Sequence, residues 1–184
     1  FTKEEALDKL KHGMKIIIRE GSAAKNFEAL YELIDEYPDM VMLCSDDKHP
    51  NDLAVSHINK LAQRAVAKGC SVMNVLRAAS LNTVKHYKMN VGLLQQNDPA
   101  DFCIVKDLKD FEVTSTYING QVVAENGITK IESVVETPIN NFNCSEVSES
   151  QIQLADEGKA VKVIAVEDGQ LITTKQIAIL PVKD

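Results

Sequence analysis

The sequence lacks an excess of basic residues and any long apolar run, and these absences exclude several classes of protein. Its 184 residues contain 27 Asp and Glu against 20 Lys and Arg, so the formal net charge is -7. Because no basic stripe interrupts this acidic balance, we expect no nucleic-acid partner. No apolar stretch approaches the ~20 residues that span a bilayer, and the first residues do not resemble a signal peptide. We therefore expect no membrane partner.

Closely spaced cysteine pairs, which bind zinc or catalyse redox reactions, are also absent. The four cysteines are Cys44, Cys70, Cys103 and Cys144, and none lies in a C-x-x-C motif. Cys44 and Cys103 sit in apolar, strand-like runs, so buried free thiols are expected. Unpaired thiols are typical of a reducing compartment, which favours a cytoplasmic location.

The first 69 residues alternate between helical and strand patterns. Helices are predicted over residues 3–12, 26–37 and 53–68, and strands over residues 14–18 and 40–44. Thr2 and Glu5 have the spacing of a capping box at the first helix. Units this short imply parallel strands joined by right-handed crossovers. Two strands form neither a barrel nor a stable open sheet, so together with the start at Phe1 rather than Met they predict a fragment of a longer protein.

Short strands dominate the chain after residue 90. Asn119-Gly120 between two alternating segments is the strongest short hairpin signal, and we expect a small antiparallel module over residues 91–127. Polar residues 131–150 are typical of a linker, and Asp168-Gly169 predicts a second hairpin. The remaining predicted elements are strands at 91–94, 102–105, 160–167 and 170–180 and helices at 72–80, capped by Ser71, and at 82–87.

The strongest candidate site lies where the second strand ends. Val41–Cys44 is an apolar run without alternation, which predicts a strand buried on both faces, and Asp46 and Asp47 follow almost at once. Residues just past the carboxyl end of a parallel strand line the active site in α/β folds. Two adjacent carboxylates repel each other, so a cation, a bound proton or solvent should offset them.

A second interpretation of the same stretch is helix capping. Asp47, Asn51 or Asp52 could cap the following helix, with Pro50 near its first turn. Both interpretations can hold at once, with Asn51 or Asp52 as the cap and Asp46 left for chemistry.

Several stretches resemble microbial adenine deaminases, which belong to the metal-dependent amidohydrolase superfamily. They are Gly13–Asn26 (GMKIIIREGSAAKN), Cys44–Leu53 (CSDDKHPNDL) and Ala78–Asn82 (AASLN). Pro99–Val105 (PADFCIV) resembles the strand that follows the barrel in amidohydrolases, although Asp98-Pro99 replaces the usual glycine-containing turn.

This resemblance implies an α/β fold followed by a β region. Residues 1–90 would supply the last two units of a metal-dependent (β/α)₈ TIM barrel. Residues 91–130 would contribute strands to a small composite β domain, and residues 131–184 would be a linker and the start of a carboxyl-terminal domain.

The resemblance also implies a function, the hydrolytic deamination of adenine to hypoxanthine and ammonia in purine salvage. Asp46 matches the acid that serves the family as metal ligand and proton shuttle. The metal would be manganese or iron, with zinc as the alternative, and its other ligands lie outside this chain. The implied substrate-binding residues are Asp47, His49, Arg19, Glu20 and Ser22. As alternatives, Arg19 and Glu20 could form a structural ion pair, Asp47 could hold Lys48, and His49 could face only solvent.

Two other functions stay open at this point. A cyclic-amide hydrolase of the same superfamily would also need an acid where Asp46 lies, and a substrate screen separates it from a deaminase. A non-catalytic assembly module would bind no metal, which the metal content of the purified chain tests. The expected partners are a small-molecule purine base and further copies of the chain in a homo-oligomer.

Overall fold

The structure is a computed structural model that describes residues 2–153, 159–168 and 171–179. The chain divides into two compact units, residues 1–131 and 132–184. Seven helices and a π-helix of the first unit are α1 Lys3–Lys11, α2 Phe27–Leu30, α3 Leu33–Glu36, α4 Pro50–Val55, α5 Ile58–Ala67, α6 Val72–Leu76, the π-helix Arg77–Leu81 and α7 Asn82–Tyr87. Its strands are β1 Ile16–Arg19, β2 Val41–Cys44, β3 Phe102–Val105, β4 Val113–Ile118, β5 Gln121–Glu125 and β6 Ile128–Thr129.

Strands β1 and β2 pair in parallel, which confirms the prediction of two β/α units. Their register sets Ile16 opposite Val41 and Arg19 opposite Cys44, so both strands end at the same edge. Ile16, Ile18, Val41 and Leu43 point to one face and join the core formed with the helices. Ile17 lies on the opposite face, as strand alternation requires, and is 40% exposed.

Large apolar side chains of the helices fill that core. Phe27, Leu33, Ile34 and Val75 are fully buried. At the start of the first helix, the Thr2 hydroxyl accepts a hydrogen bond from the Glu5 backbone N–H at 3.2 Å, as the capping signature predicts.

Two of the predicted helices are interrupted. The helix predicted over residues 26–37 tightens after Leu30, where the Ile34 N–H bonds to the Tyr31 carbonyl three residues back. The helix predicted over residues 53–68 is also wrong in its bounds, because the backbone is extended at Ser56 and His57. The Lys48 ammonium donates to the Ser56 carbonyl at 3.1 Å and to its hydroxyl at 3.2 Å, which holds the break.

Ser71 precedes a helix, as predicted, but does not cap it through its side chain. Its backbone N–H instead donates to the Asp35 carboxylate at 3.0 Å. The helix predicted over residues 72–80 passes into the π-helix, where the Ser80 hydroxyl bonds back to the Leu76 carbonyl at 2.9 Å.

A four-stranded antiparallel sheet, in the order β3-β4-β5-β6, follows the helices. The turn between β4 and β5 is Asn119-Gly120, and positive φ values of 49° and 76° at these two residues confirm the predicted hairpin. The strand predicted at residues 91–94 is wrong. The backbone N–H groups of Gly92 and Leu93 donate to the carboxylates of Asp101 and Asp98, so they are not available to a strand partner.

The second unit contains a short helix α8, Glu149–Ile152, and the antiparallel pair β7 Ala160–Val166 and β8 Thr173–Ile179. The predicted second hairpin is therefore confirmed in its strands, although Gly169 of its turn lies outside the described residues. Residues 132–147 are exposed and lack regular structure.

The four thiols are free, as predicted, but the expected burial of Cys44 and Cys103 is wrong. Cys44 is half-buried where β2 ends, and Cys103 is exposed. The small sheet leaves the face that carries Cys103 open to solvent, so an apolar sequence run did not imply burial there. In the described ranges no helix combines the length and the apolar character that a membrane crossing requires.

Candidate active site

Two loops meet at the edge where β1 and β2 end. The first loop, Glu20–Lys25, follows β1, and the second, Ser45–His49, follows β2. Asn26 closes the base of the first loop, since its side-chain oxygen accepts from the Arg19 N–H at 2.8 Å and its own N–H donates to the Arg19 carbonyl at 3.1 Å. The candidate residues predicted from the sequence all lie in or beside these two loops.

Arg19 and Asp46 form an ion pair across the strand ends. Arg19 Nη2 donates to Asp46 Oδ2 at 2.5 Å, and each side chain is 31% exposed. Asp46 adopts a left-handed backbone conformation with φ of 49° and its N–H donates to Cys44 Sγ at 3.1 Å. Arg19 is thus a cation that offsets the repulsion between the adjacent carboxylates.

Asp47 and Ser22 form the second link between the loops. Asp47 Oδ1 accepts from the Ser22 backbone N–H at 2.9 Å, and Oδ2 accepts from the Ser22 hydroxyl at 2.7 Å. The Ser22 hydroxyl, followed by its backbone N–H, lowers the pKa of Asp47 to about 2. The capping role considered for Asp47 is therefore wrong, because its side chain turns towards the first loop.

Glu20 fixes the start of the first loop to helices α2 and α5. It is 8% exposed, and its carboxylate accepts from Arg64 Nη1 at 2.7 Å and from the Phe27 N–H at 3.2 Å. Arg64 also lies over the Phe27 ring at 4.2 Å from the centroid. Arg19 and Glu20 thus do not pair with each other, because each has a different partner.

His49 occupies the position before Pro50, which begins α4 as predicted. Its side chain makes no capping hydrogen bond, and the residue is exposed. Asn51 and Asp52 lie inside α4, so the helix-capping role considered for them is also wrong. His49 remains at the open side of the second loop.

The donor chemistry of this edge fits one metal ligand rather than a complete metal centre. Asp46 offers a hard carboxylate oxygen at a strand end, beside Arg19, and Asp47 is engaged by Ser22. Within the described part of the chain, no three His, Cys, Asp or Glu residues are grouped as a metal site requires.

Sequence reasoning missed three residues that shape the site. They are Gly21, Asn26 and Arg64. Gly21 and Asn26 lie in the stretch that carries the family resemblance. That resemblance drew attention to their positions but did not indicate their structural roles. Arg64 gave no signal, since a basic residue on an amphipathic helix is ordinarily solvent-facing.

Comparisons with known proteins give the family. A sequence profile of the amidohydrolase family matches residues 3–123. The chain is 48% identical to an adenine deaminase of Methanosarcina acetivorans over 97% of its length, and 52% identical to one of a Sulfurovum species over 96%. It spans only 34% and 33% of these relatives, about a third of their length.

A solved structure supports the same assignment at the level of the fold. A β-aspartyl dipeptidase from Fervidobacterium islandicum AW-1 superposes with a TM-score of 0.55 over 71% of this chain and 38% of that chain, at 22% identity. The profile match over residues 3–123 includes both parallel strands, both loops and most of the small sheet. The chain therefore belongs to the amidohydrolase family and has an amidohydrolase fold.

Proposed function

We propose that this chain is part of an adenine deaminase, a metal-dependent hydrolase that acts on a C–N bond and converts adenine to hypoxanthine and ammonia in purine salvage. The observation that carries the proposal is the Arg19–Asp46 pair at the shared end of two parallel strands. It lies in a chain about half identical to proteins named adenine deaminase.

We assign residues 1–90 to the last two units of the (β/α)₈ barrel. The parallel pair with helices on one face, and with the partly exposed Ile17 on the other, supports this assignment. Residues 91–130 are the segment of a composite β domain, and residues 131–184 are the linker and the start of a carboxyl-terminal domain.

Asp46 is the residue that would hold the metal in this chain. When bound, a divalent metal of the manganese, iron or zinc type supplies the Lewis acidity that activates water near neutral pH. Asp46 accepts the proton of the attacking water at a carboxylate oxygen and returns it to the leaving nitrogen. Arg19 holds Oδ2 of this carboxylate, which leaves Oδ1 for the metal or the proton.

The border of the purine pocket consists of Arg19, Glu20, Ser22, Asp47 and His49. His49 has a side chain left for the substrate, because it is exposed. Arg19 Nε is buried and has no hydrogen-bond partner among the described residues, so Arg19 borders the pocket through its pairing with Asp46. Glu20 holds the first loop in place through its ion pair with Arg64. Homo-oligomer formation and a cytoplasmic location stay predictions.

A substrate screen tests this proposal. The full-length gene product, loaded with manganese, is assayed for ammonia release from adenine and for ring opening of cyclic amides such as hydantoin. We expect turnover of adenine at roughly 1 per second or faster and no hydrolysis of the cyclic amides. Hydrolysis of a cyclic amide without adenine turnover would show that the chemistry is of a different class within the family.

A further inference from the structure

We propose that Asp47 is a positioning residue, which holds the two loops together through Ser22 and thereby fixes the backbone of Asp46. This inference rests on the proposed function and deepens it, because it gives Asp47 a task other than contact with the purine. We call the two hydrogen bonds between Asp47 and Ser22 the Ser22–Asp47 latch.

The latch uses both oxygens of the Asp47 carboxylate. Oδ1 accepts from the Ser22 N–H at 2.9 Å and Oδ2 accepts from the Ser22 hydroxyl at 2.7 Å. A carboxylate held by two donors from one residue has a fixed orientation. It faces the first loop, and each of its two oxygens already accepts a hydrogen bond from Ser22.

Gly21 allows the loops to approach this closely. A Cβ atom placed on Gly21 would lie 2.2 Å from Asp47 Oδ1 and 3.1 Å from Asp46 Oδ2, which are clashing or very tight distances. The backbone of the first loop therefore lies directly against both carboxylates. A side chain at this position would have to displace the Asp47 carboxylate from Ser22.

The backbone of Asp46 needs support from its surroundings. Its φ of 49° is left-handed, a conformation that Asp adopts more readily than most residues but that still costs free energy, so contacts with neighbours help to keep it. Two consecutive side chains provide this support, because Asp46 binds Arg19 at the start of the first loop and Asp47 binds Ser22 within it. Without the latch, one of these two attachments is lost.

The first loop is a firm anchor for the latch. Glu20, immediately before Gly21, is buried and bonded to Arg64 and to the Phe27 N–H, while Asn26 closes the loop base on Arg19. Movement is therefore expected in the second loop when the latch is broken. Asp46 would shift relative to the reacting atoms, and a shift of about 1 Å can lower a rate about 10²-fold.

The experiment compares Asp47→Ala with Asp47→Asn in the full-length gene product. Asp47→Ala removes both acceptors and should lower kcat for adenine about 10²-fold, with KM little changed. Asp47→Asn keeps an acceptor for the Ser22 N–H and can donate to its hydroxyl, so kcat should return to within about tenfold of wild type. Asp52→Ala, which removes a nearby exposed acid in α4, is the matched control and should leave both constants unchanged.

A measurement independent of catalysis accompanies the kinetics. Hydrogen exchange at the Ser22 backbone N–H should be slow in wild type and in Asp47→Asn, and clearly faster in Asp47→Ala. If Asp47→Ala folds poorly, Ser22→Ala removes only the hydroxyl bond and should give a smaller fall in kcat without a change in KM.

Three results would overturn the proposal. They are a raised KM with normal kcat in Asp47→Ala, an Asp47→Asn variant as impaired as Asp47→Ala, and Ser22 exchange unaffected by Asp47→Ala. If the wild type itself does not turn over adenine, the proposed function fails, and the exchange measurement alone then decides whether the latch exists.

Discussion

Removal of the Glu20 carboxylate should lower the free energy of unfolding more than the loss of a surface ion pair does. Glu20 is 8% exposed and accepts from Arg64 Nη1 at 2.7 Å and from the N–H of the fully buried Phe27 at 3.2 Å. Glu20→Ala loses a charge-assisted hydrogen bond and leaves a buried N–H without an acceptor, which together destabilise by about 3 kcal/mol. Glu20→Gln keeps an acceptor for Phe27 and should destabilise by roughly half as much.

The same arginine provides the control. Arg64 Nη2 also pairs with Glu28 at 2.9 Å, but the Glu28 side chain is 61% exposed. Because solvent replaces an exposed partner, Glu28→Ala should leave the urea midpoint of unfolding unchanged within error.

Urea unfolding followed by far-UV circular dichroism measures all three variants. A Glu28→Ala variant that is as unstable as Glu20→Ala would refute the argument from burial. An unchanged midpoint for Glu20→Gln with a large rise in KM for adenine would show that Glu20 reaches the substrate instead.

Three further predictions follow from other parts of the chain. Asn82→Ala should lower the free energy of unfolding in urea by about 2 kcal/mol, because the buried Asn82 amide donates to the carbonyls of Pro38 at 2.7 Å and Val41 at 2.8 Å. Asn141→Ala in the exposed segment is the control, and an equal loss of stability in both variants would contradict the argument. Backbone N–H groups of Asn119 and Gly92 lower the pKa of Asp101, so its stabilising contribution is present above the unfolded pKa of about 3.9 and is lost as the pH falls through the lower folded pKa. Asp101→Asn should therefore weaken the acid dependence of the urea midpoint below about pH 4, and an unchanged dependence would count against it. The 184-residue chain alone should release no ammonia from adenine with added manganese, since under the proposed function it supplies Asp46 as a single ligand and a metal site needs three or more. Turnover near 1 per second would contradict this.

Local signals in the sequence predicted the elements whose causes are local. Asn119-Gly120 specified a hairpin because both turn residues must adopt positive φ, and the structure has this geometry. Val41–Cys44 predicted a buried strand because an apolar run without alternation is typical of a strand that is covered on both faces. The breaks were not predictable in this way. The interruption at Ser56 depends on Lys48, eight residues earlier, and the loss of the strand at 91–94 depends on the carboxylates of Asp98 and Asp101.

In the candidate site, too, the features with local causes could be predicted and those that depend on distant residues could not. Asp46 could be found from the sequence, because it follows a strand and the end of a parallel strand faces the active site. Which side chains pair there could not be predicted, since the Arg19–Asp46 pair spans 27 residues and the Glu20–Arg64 pair spans 44 residues. These contacts exist only because parallel pairing brings the two strand ends together. Period and composition carry no information about which charged side chains then meet.

The turnover of Asp46→Asn in the full-length gene product tests the proposed chemistry most directly. This change keeps the shape of the side chain and removes the negative charge and the proton acceptor. With metal content measured in parallel, kcat for adenine should fall on the order of 10² to 10⁴-fold, and further if metal is lost. Asp47→Asn, measured beside it, should remain within about tenfold of wild type. A near-normal Asp46→Asn enzyme beside a crippled Asp47→Asn enzyme would contradict the assignment of the two carboxylates.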